Sequence, residues 1–139
     1  MLNELGVSVS TANDGESAVA ASNEQKFSAI LMDMCMPVMD GPKATEMIRQ
    51  SNGPNAKTPI VFVTATASEE ARSSCLLSGG TGFVTKPVSR HSIISKLAEY
   101  LPPEEVEWMR AAWMEKWRPA DAYQVPVPIS GAPPSVKIA

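Results

Sequence analysis

Three residues have the types needed to handle a phosphoryl group. Asp33 closes an apolar run, Ala29-Ile30-Leu31-Met32, and opens a loop that holds Pro37, Asp40 and Gly41. Thr64 closes a second apolar run, Ile60-Val61-Phe62-Val63, and Lys86 follows a third segment, Gly82-Phe83-Val84-Thr85. A carboxylate with open approach can attack phosphorus and form an acyl phosphate. The transferred group spreads negative charge over three oxygens, so the surroundings must position and neutralise it. Lys86 offers a positive charge and Thr64 a hydroxyl donor. Magnesium held by carboxylates, carbonyls and water would normally complete such a site.

These side chains must be carried by elements that bring them together. Residues 7 to 11, VSVST, alternate apolar and polar with period two, as a half-exposed strand near a sheet edge does. Asn13 with Glu16 has the spacing of a capping box, and a helix is expected over about 14–25 with Ala18, Val19 and Ala21 inward. The runs 29–32 and 60–63 are apolar on both faces, as in a parallel sheet. Gly41-Pro42 opens a helix with inward Ala44, Met47 and Ile48, and SNGPNAK is a loop. Ser68-Glu69-Glu70 starts a helix with Ala71, Cys75 and Leu76 inward, ended by Gly79-Gly80. A further helix is expected over about 89–100, with Ile93, Ile94, Leu97 and Ala98 buried. Strand and helix alternate four times, which implies right-handed crossovers and a parallel sheet covered on both faces. Ligands in such folds sit at the carboxyl ends of the strands. Asp33, Thr64 and Lys86 all fall there.

The segments D-M-C-M-P-V-M-D-G (33–41), V-T-A (63–65) and T-K-P (85–87), in that order, resemble the receiver domain of two-component response regulators and hybrid histidine kinases. Thr64 lies 31 residues after Asp33, and Lys86 lies 22 after Thr64; both gaps suit the family. The resemblance implies a flavodoxin-like, doubly wound parallel sheet in three α-β-α layers, with strand order 2-1-3-4-5. It implies phosphorelay signalling rather than an enzyme: Asp33 accepts a phosphoryl group from a phosphohistidine and a protein-interaction surface switches. The donor would be a histidine kinase or a histidine phosphotransfer protein. By the same resemblance, Thr64, Lys86 and Phe83 bind the phosphate or switch, with Phe83 the rotating aromatic. Pro87 would hold a cis peptide, while Pro37 and Gly41 shape the site. Asp33 and the backbone carbonyl of Cys35 would be magnesium ligands.

The family's first strand, ending in two adjacent acids, has no match before Asp33. Met1 to Gly6 resembles the tail of the first helix instead. The expectation is therefore a sheet lacking its central strand, with magnesium weakly bound or absent. The alternative function is a receiver unable to take phosphate that acts as a protein-binding module. Asp14 is expected to cap a helix and Asp40 to close the loop, so neither replaces the acid pair. A haloacid-dehalogenase-like phosphatase is disfavoured, because it wants an aspartate where Cys35 stands.

The receiver-like part is expected to span 1–101. Residues 102–118 read as an amphipathic helix with a stripe of Val106, Met109, Trp113 and Trp117, docked on the receiver or its exposed sheet, the alternative being a partner-binding helix or the stub of a following segment. Residues 119–139 carry five prolines and no period, and are expected to be disordered. VPVPI (125–129) is rejected as a replacement strand, since Pro126 and Pro128 each lack an N–H.

Of the 139 residues, 44% are hydrophobic and 19% charged, as in ordinary soluble domains. A net charge of −3 without a basic aromatic-laced stretch argues against nucleic acid. No run approaches a membrane span, and the start lacks a signal-peptide pattern. An intracellular, soluble protein is expected, cytoplasmic by preference. Two isolated cysteines and one histidine, His91, cannot build a structural zinc site. His91 reads as a surface residue, and methionines 32, 34, 36 and 39 as packing.

Overall fold

The computed structural model describes residues 8–116 and 135–138. In chain order these form β1 (Ser8–Thr11), α1 (Gly15–Glu24), β2 (Ala29–Asp33), α2 (Gly41–Gln50), β3 (Ile60–Thr64), α3 (Glu69–Leu77), β4 (Gly82–Thr85), α4 (Arg90–Ala98), α5 (Pro103–Lys116) and β5 (Ser135–Ile138). The five strands make one all-parallel sheet in the order β1-β5-β2-β3-β4.

Period-two alternation divides the central strands between two cores. Ala29, Leu31, Val61 and Val84 face α4 and α5, where Ile93, Ile94, Leu97, Val106 and Met109 bury against them. Ile30, Met32, Ile60 and Phe62 face the other way, onto Ala18 and Val19 of α1, Ala44 and Ile48 of α2 and Cys75 of α3. This is the expected three-layer arrangement. Both faces of β2 and β3 are covered, which is why their sequences are apolar throughout.

Helix starts follow side-chain capping chemistry. Asp14 caps α1 by accepting from the Ser17 N–H, so the expected Asn13–Glu16 box is displaced by one residue. Asp40 caps α2, with Pro42 in the first turn, and Ser68 caps α3 ahead of Glu69 and Glu70. Ser89 and Ser92 cap α4 reciprocally. Two inward assignments fail: Met47 is 39% exposed and Leu76 62%. Helices α2 and α3 each lay only a narrow stripe on the sheet, headed by Ile48 and Cys75.

The largest correction concerns the middle of the sheet. A gap was expected between the 7–11 and 29–33 strands, and irregular chain over 119–139. Instead β5 lies between β1 and β2, parallel to both, pairing Ser8–Thr11 on one side and Ala29–Leu31 on the other. Buried strands leave no backbone donor or acceptor unpaired, and SVKI satisfies the two inner edges. Four residues are too few for a readable period, and Pro133-Pro134 just before them suggests a loop. The rejected VPVPI segment, the helix-like 1–6 segment and Trp117 lie outside the described residues.

The helix expected over 102–118 is α5. Val106 and Met109 are buried against the sheet, each worth roughly 1.5–3 kcal/mol. The Ser28 hydroxyl donates to Glu105 Oε1 at 2.9 Å, tying α5 to the chain just before β2.

Candidate functional site

The carboxyl rim of the sheet gathers residues far apart in sequence. Asp33 ends β2, Thr64 ends β3 and Lys86 follows β4 directly. Register aligns them: Asp33 lies opposite Val63, and Thr64 opposite Thr85. Two backbone bonds continue the ladder past the strand ends, Met34 N–H to Val63 O at 3.2 Å and Lys86 N–H to Thr64 O at 2.7 Å. The rim is therefore fixed by the same pairing that forms the sheet.

Lys86 Nζ donates to Asp33 Oδ2 at 3.0 Å. The other oxygen, Oδ1, accepts from the Cys35 N–H at 3.1 Å. The Asp33 side chain keeps 35% of its surface in water and Lys86 47%, so an incoming group has access. An ion pair this exposed contributes at most ~1 kcal/mol to stability.

Thr64 is buried and its hydroxyl is engaged away from Asp33. It donates to Thr66 O at 2.9 Å and accepts from the Thr66 N–H at 3.2 Å. The Lys86–Pro87 peptide is cis, as the resemblance implied. Phe83 is half-buried against the Phe62 side of the sheet, and the Arg72 guanidinium of α3 lies 5.2 Å from its ring centroid. Nothing in the sequence pointed to Arg72, because it packs across elements.

The loop from Met34 to Gly41 is tightly built. Met39 N–H reaches Pro37 O at 2.7 Å across Val38, whose φ is +69°. A three-residue turn with that φ is rare and strained, above all for a β-branched residue. Gly41 N–H bonds Met34 O at 3.1 Å, and a Cβ at Gly41 would stand 2.2 Å from Asp33 O. Gly41 thus lets α2 begin directly against the strand end that carries Asp33.

The residues present do not fit a tightly held magnesium ion. Among the described residues no three His, Cys, Asp or Glu side chains group as metal ligands. Asp33 already carries an ammonium on one oxygen. Asp14 Oδ1 and Asp40 Oδ1 accept from helix N–H groups, at 2.7 and 2.9 Å. The Ser17 N–H and hydroxyl lower the pKa of Asp14, consistent with its capping role. The free thiols do not contribute: burial pushes Cys75 up, and its Sγ lies 3.4 Å from Met34 Sδ. Cys35 is exposed in the loop and offers its backbone at the site.

A parallel α/β sheet covered by helices on both faces, with an aspartate and a lysine converging on its carboxyl rim, defines a flavodoxin-like doubly wound fold. The family model for the response regulator receiver domain matches residues 1–98, and the chain belongs to that family. It is similar to Histidine kinase 5 of Arabidopsis thaliana, 31% identical over 126 residues that cover 73% of this chain and 14% of the relative. It is also similar to the sensor protein GacS of Pseudomonas syringae pv. syringae, 37% identical over 67% of this chain and 10% of the relative. The chain thus spans only a small part of these relatives' length. Among solved structures, the receiver domain of the sensor histidine kinase PA1611 of Pseudomonas aeruginosa PAO1 superposes with a TM-score of 0.66 at 35% identity. That match covers 71% of this chain and 80% of the other, whose active-site cleft coordinates a magnesium ion. The chemotaxis protein CheY4 of Vibrio cholerae gives 0.68 at 31% identity, covering 72% and 82%.

Proposed function

We propose that this receiver domain serves a phosphorelay and that Asp33 is its phosphoacceptor. The observation that carries this reading is the 3.0 Å approach of Lys86 Nζ to Asp33 Oδ2 at an accessible strand end. In the proposed step an Asp33 oxygen attacks the phosphorus of a phosphohistidine. A P–O bond forms, the P–N bond breaks, and the imidazole nitrogen leaves with the electron pair and takes a proton. Lys86 exchanges its carboxylate partner for an oxygen of the phosphoryl group. Thr64 gives up its bonds to Thr66 and donates to the same group, and Phe83 turns with it. The partner is a histidine kinase or a histidine phosphotransfer protein.

Magnesium, when bound, neutralises phosphoryl charge. With Asp33 as its one available side-chain carboxylate among the described residues, its binding is weak and the transfer slow. That same shortage favours a second reading, a protein-binding module that is not phosphorylated. Incubation with acetyl phosphate and magnesium, followed by intact-mass measurement, separates the two. The first reading expects slow gain of one phosphoryl group, lost in Asp33→Asn. No gain at any magnesium concentration overturns it and leaves the second.

A further inference from the structure

Arg72 takes no part in the chemistry at Asp33, yet its placement is specific. Glu69 stands three residues earlier on α3, at the spacing of a helical ion pair. Among the described residues Arg72 forms no ion pair; its guanidinium lies over the Phe83 ring instead, 5.2 Å from the centroid. Arg72 is exposed and Phe83 half-buried, so the cation covers a ring that the core covers only in part. At an exposed site such a contact favours one ring position over another by about two- to five-fold.

Two routes join this contact to Thr64. The first runs through the sheet. Phe83 is paired with Phe62, which lies two residues before Thr64 on β3. Alternation puts Phe62 and Thr64 on one face, so Phe83 shares that face with Thr64. The second route runs through the loop. The Thr64 hydroxyl clasps Thr66, donating to its carbonyl at 2.9 Å and accepting from its N–H at 3.2 Å. Two residues on, Ser68 caps α3, and its carbonyl accepts from the Arg72 N–H at 3.0 Å. The loop held by the Thr64 hydroxyl thus leads directly into the helical turn that carries Arg72. Opening the clasp frees the start of that turn, and with it the placement of the guanidinium.

We propose that Arg72 is a positioning residue: it holds Phe83 in its half-buried position and couples the ring to the bonds of the Thr64 hydroxyl. The consequence for signalling rests on the reading of Asp33 as the phosphoacceptor. There Arg72 acts as a brake. Phosphoryl uptake draws on the fraction of molecules in which Thr64 has released Thr66, and the hold on Phe83 lowers that fraction.

The test uses the full chain with fluorine placed on its three phenylalanines, Phe27, Phe62 and Phe83. Phe27 and Phe62 are buried and act as references. Phe83→Leu identifies the third fluorine signal by its loss. Arg72→Gln should move the Phe83 signal, and Arg72→Lys, which keeps a cation on the helix, should move it less. Thr64→Val, which deletes the hydroxyl clasp, should also move it, but not in a chain that already carries Arg72→Gln. Equal shifts in the Gln and Lys variants, no shift in either, or a Thr64→Val shift that is the same with and without Arg72 overturn the proposal. Should Thr64→Val fail to fold, the Gln and Lys variants alone decide, since Arg72 is exposed. These measurements need no phosphate. With acetyl phosphate and magnesium, Arg72→Gln should take up phosphoryl groups about two- to five-fold faster than the unaltered chain. An unchanged rate in a chain that does take phosphate overturns the brake. No uptake by either protein overturns the Asp33 reading instead, and the fluorine signals still decide the role of Arg72.

Discussion

The two ends of the sheet handle polar groups in opposite ways. At the amino end, Asn55 is buried and saturated. Its amide donates to Ser22 O at 2.7 Å and Gln25 O at 2.6 Å, and its oxygen accepts from the Phe27 N–H and the Thr58 hydroxyl. Arg49 adds bonds to Gly79 O, Asn55 O and Ala56 O, and burial lowers its pKa. Lys26 reaches Thr58 from outside at 2.8 Å. At the carboxyl rim, Asp33 and Lys86 share one exposed contact, and the Thr64 hydroxyl bonds only its own loop. One end fixes the connections between elements; the other leaves charge available for an incoming ligand. If Asp33 takes phosphate as proposed, the Asn55 network and the Asp33–Lys86 pair keep stability and chemistry on separate borders of the same strands.

The sharpest way to break that division is Asn55→Ala. It strands an N–H and two carbonyls, takes one acceptor from the Thr58 hydroxyl, and should cost about 3 kcal/mol in chemical denaturation. Phosphoryl uptake by the remaining folded protein should be unchanged; a selective loss of uptake would mean the two ends are coupled. Gly41→Ala comes next, because its Cβ would meet Asp33 O at 2.2 Å. We expect about 1–3 kcal/mol of destabilisation, with uptake lowered through displacement of the Asp33 segment. Ser68→Ala removes a helix cap away from both ends and should cost about 1 kcal/mol. Lys86→Ala should shift stability by less than ~1 kcal/mol, since the pair is exposed, yet abolish measurable uptake. A large stability loss there would refute the separation. The smallest effect concerns the thiols. Burial raises the Cys75 pKa and shields its thiol, so it forms less of the reactive thiolate, whereas Cys35 lies in the open loop. Mass spectrometry after brief iodoacetamide treatment at pH 8 should find Cys35 labelled and Cys75 intact.

The rim was legible in the sequence because strand ends impose it. An apolar run closed by Asp33, another closed by Thr64, and Lys86 after Thr85 need only a parallel sheet to meet. The cis bond at Lys86–Pro87 came from the family resemblance rather than from any property of the two residues. Asn55 escaped notice because SNGPNAK has the composition of a solvent-facing turn, and its burial depends on chain segments about thirty residues away. Residues 135–138 escaped for the same kind of reason. Their strand conformation is dictated by two inner edges that no local window contains. The Asn13–Glu16 box was off by one position because Asn13 and Asp14 both have side chains able to cap, and it is Asp14 that accepts from the Ser17 N–H.

The sheet order also sets a timetable for synthesis. At ~5–20 residues per second, the ribosome finishes β2 roughly 5–20 s before it makes β5. Throughout that interval the inner borders of β1 and β2 face each other without their common neighbour. A nascent chain in this state has two open backbone ladders, and chaperones that shield such edges should associate with it until β5 has emerged.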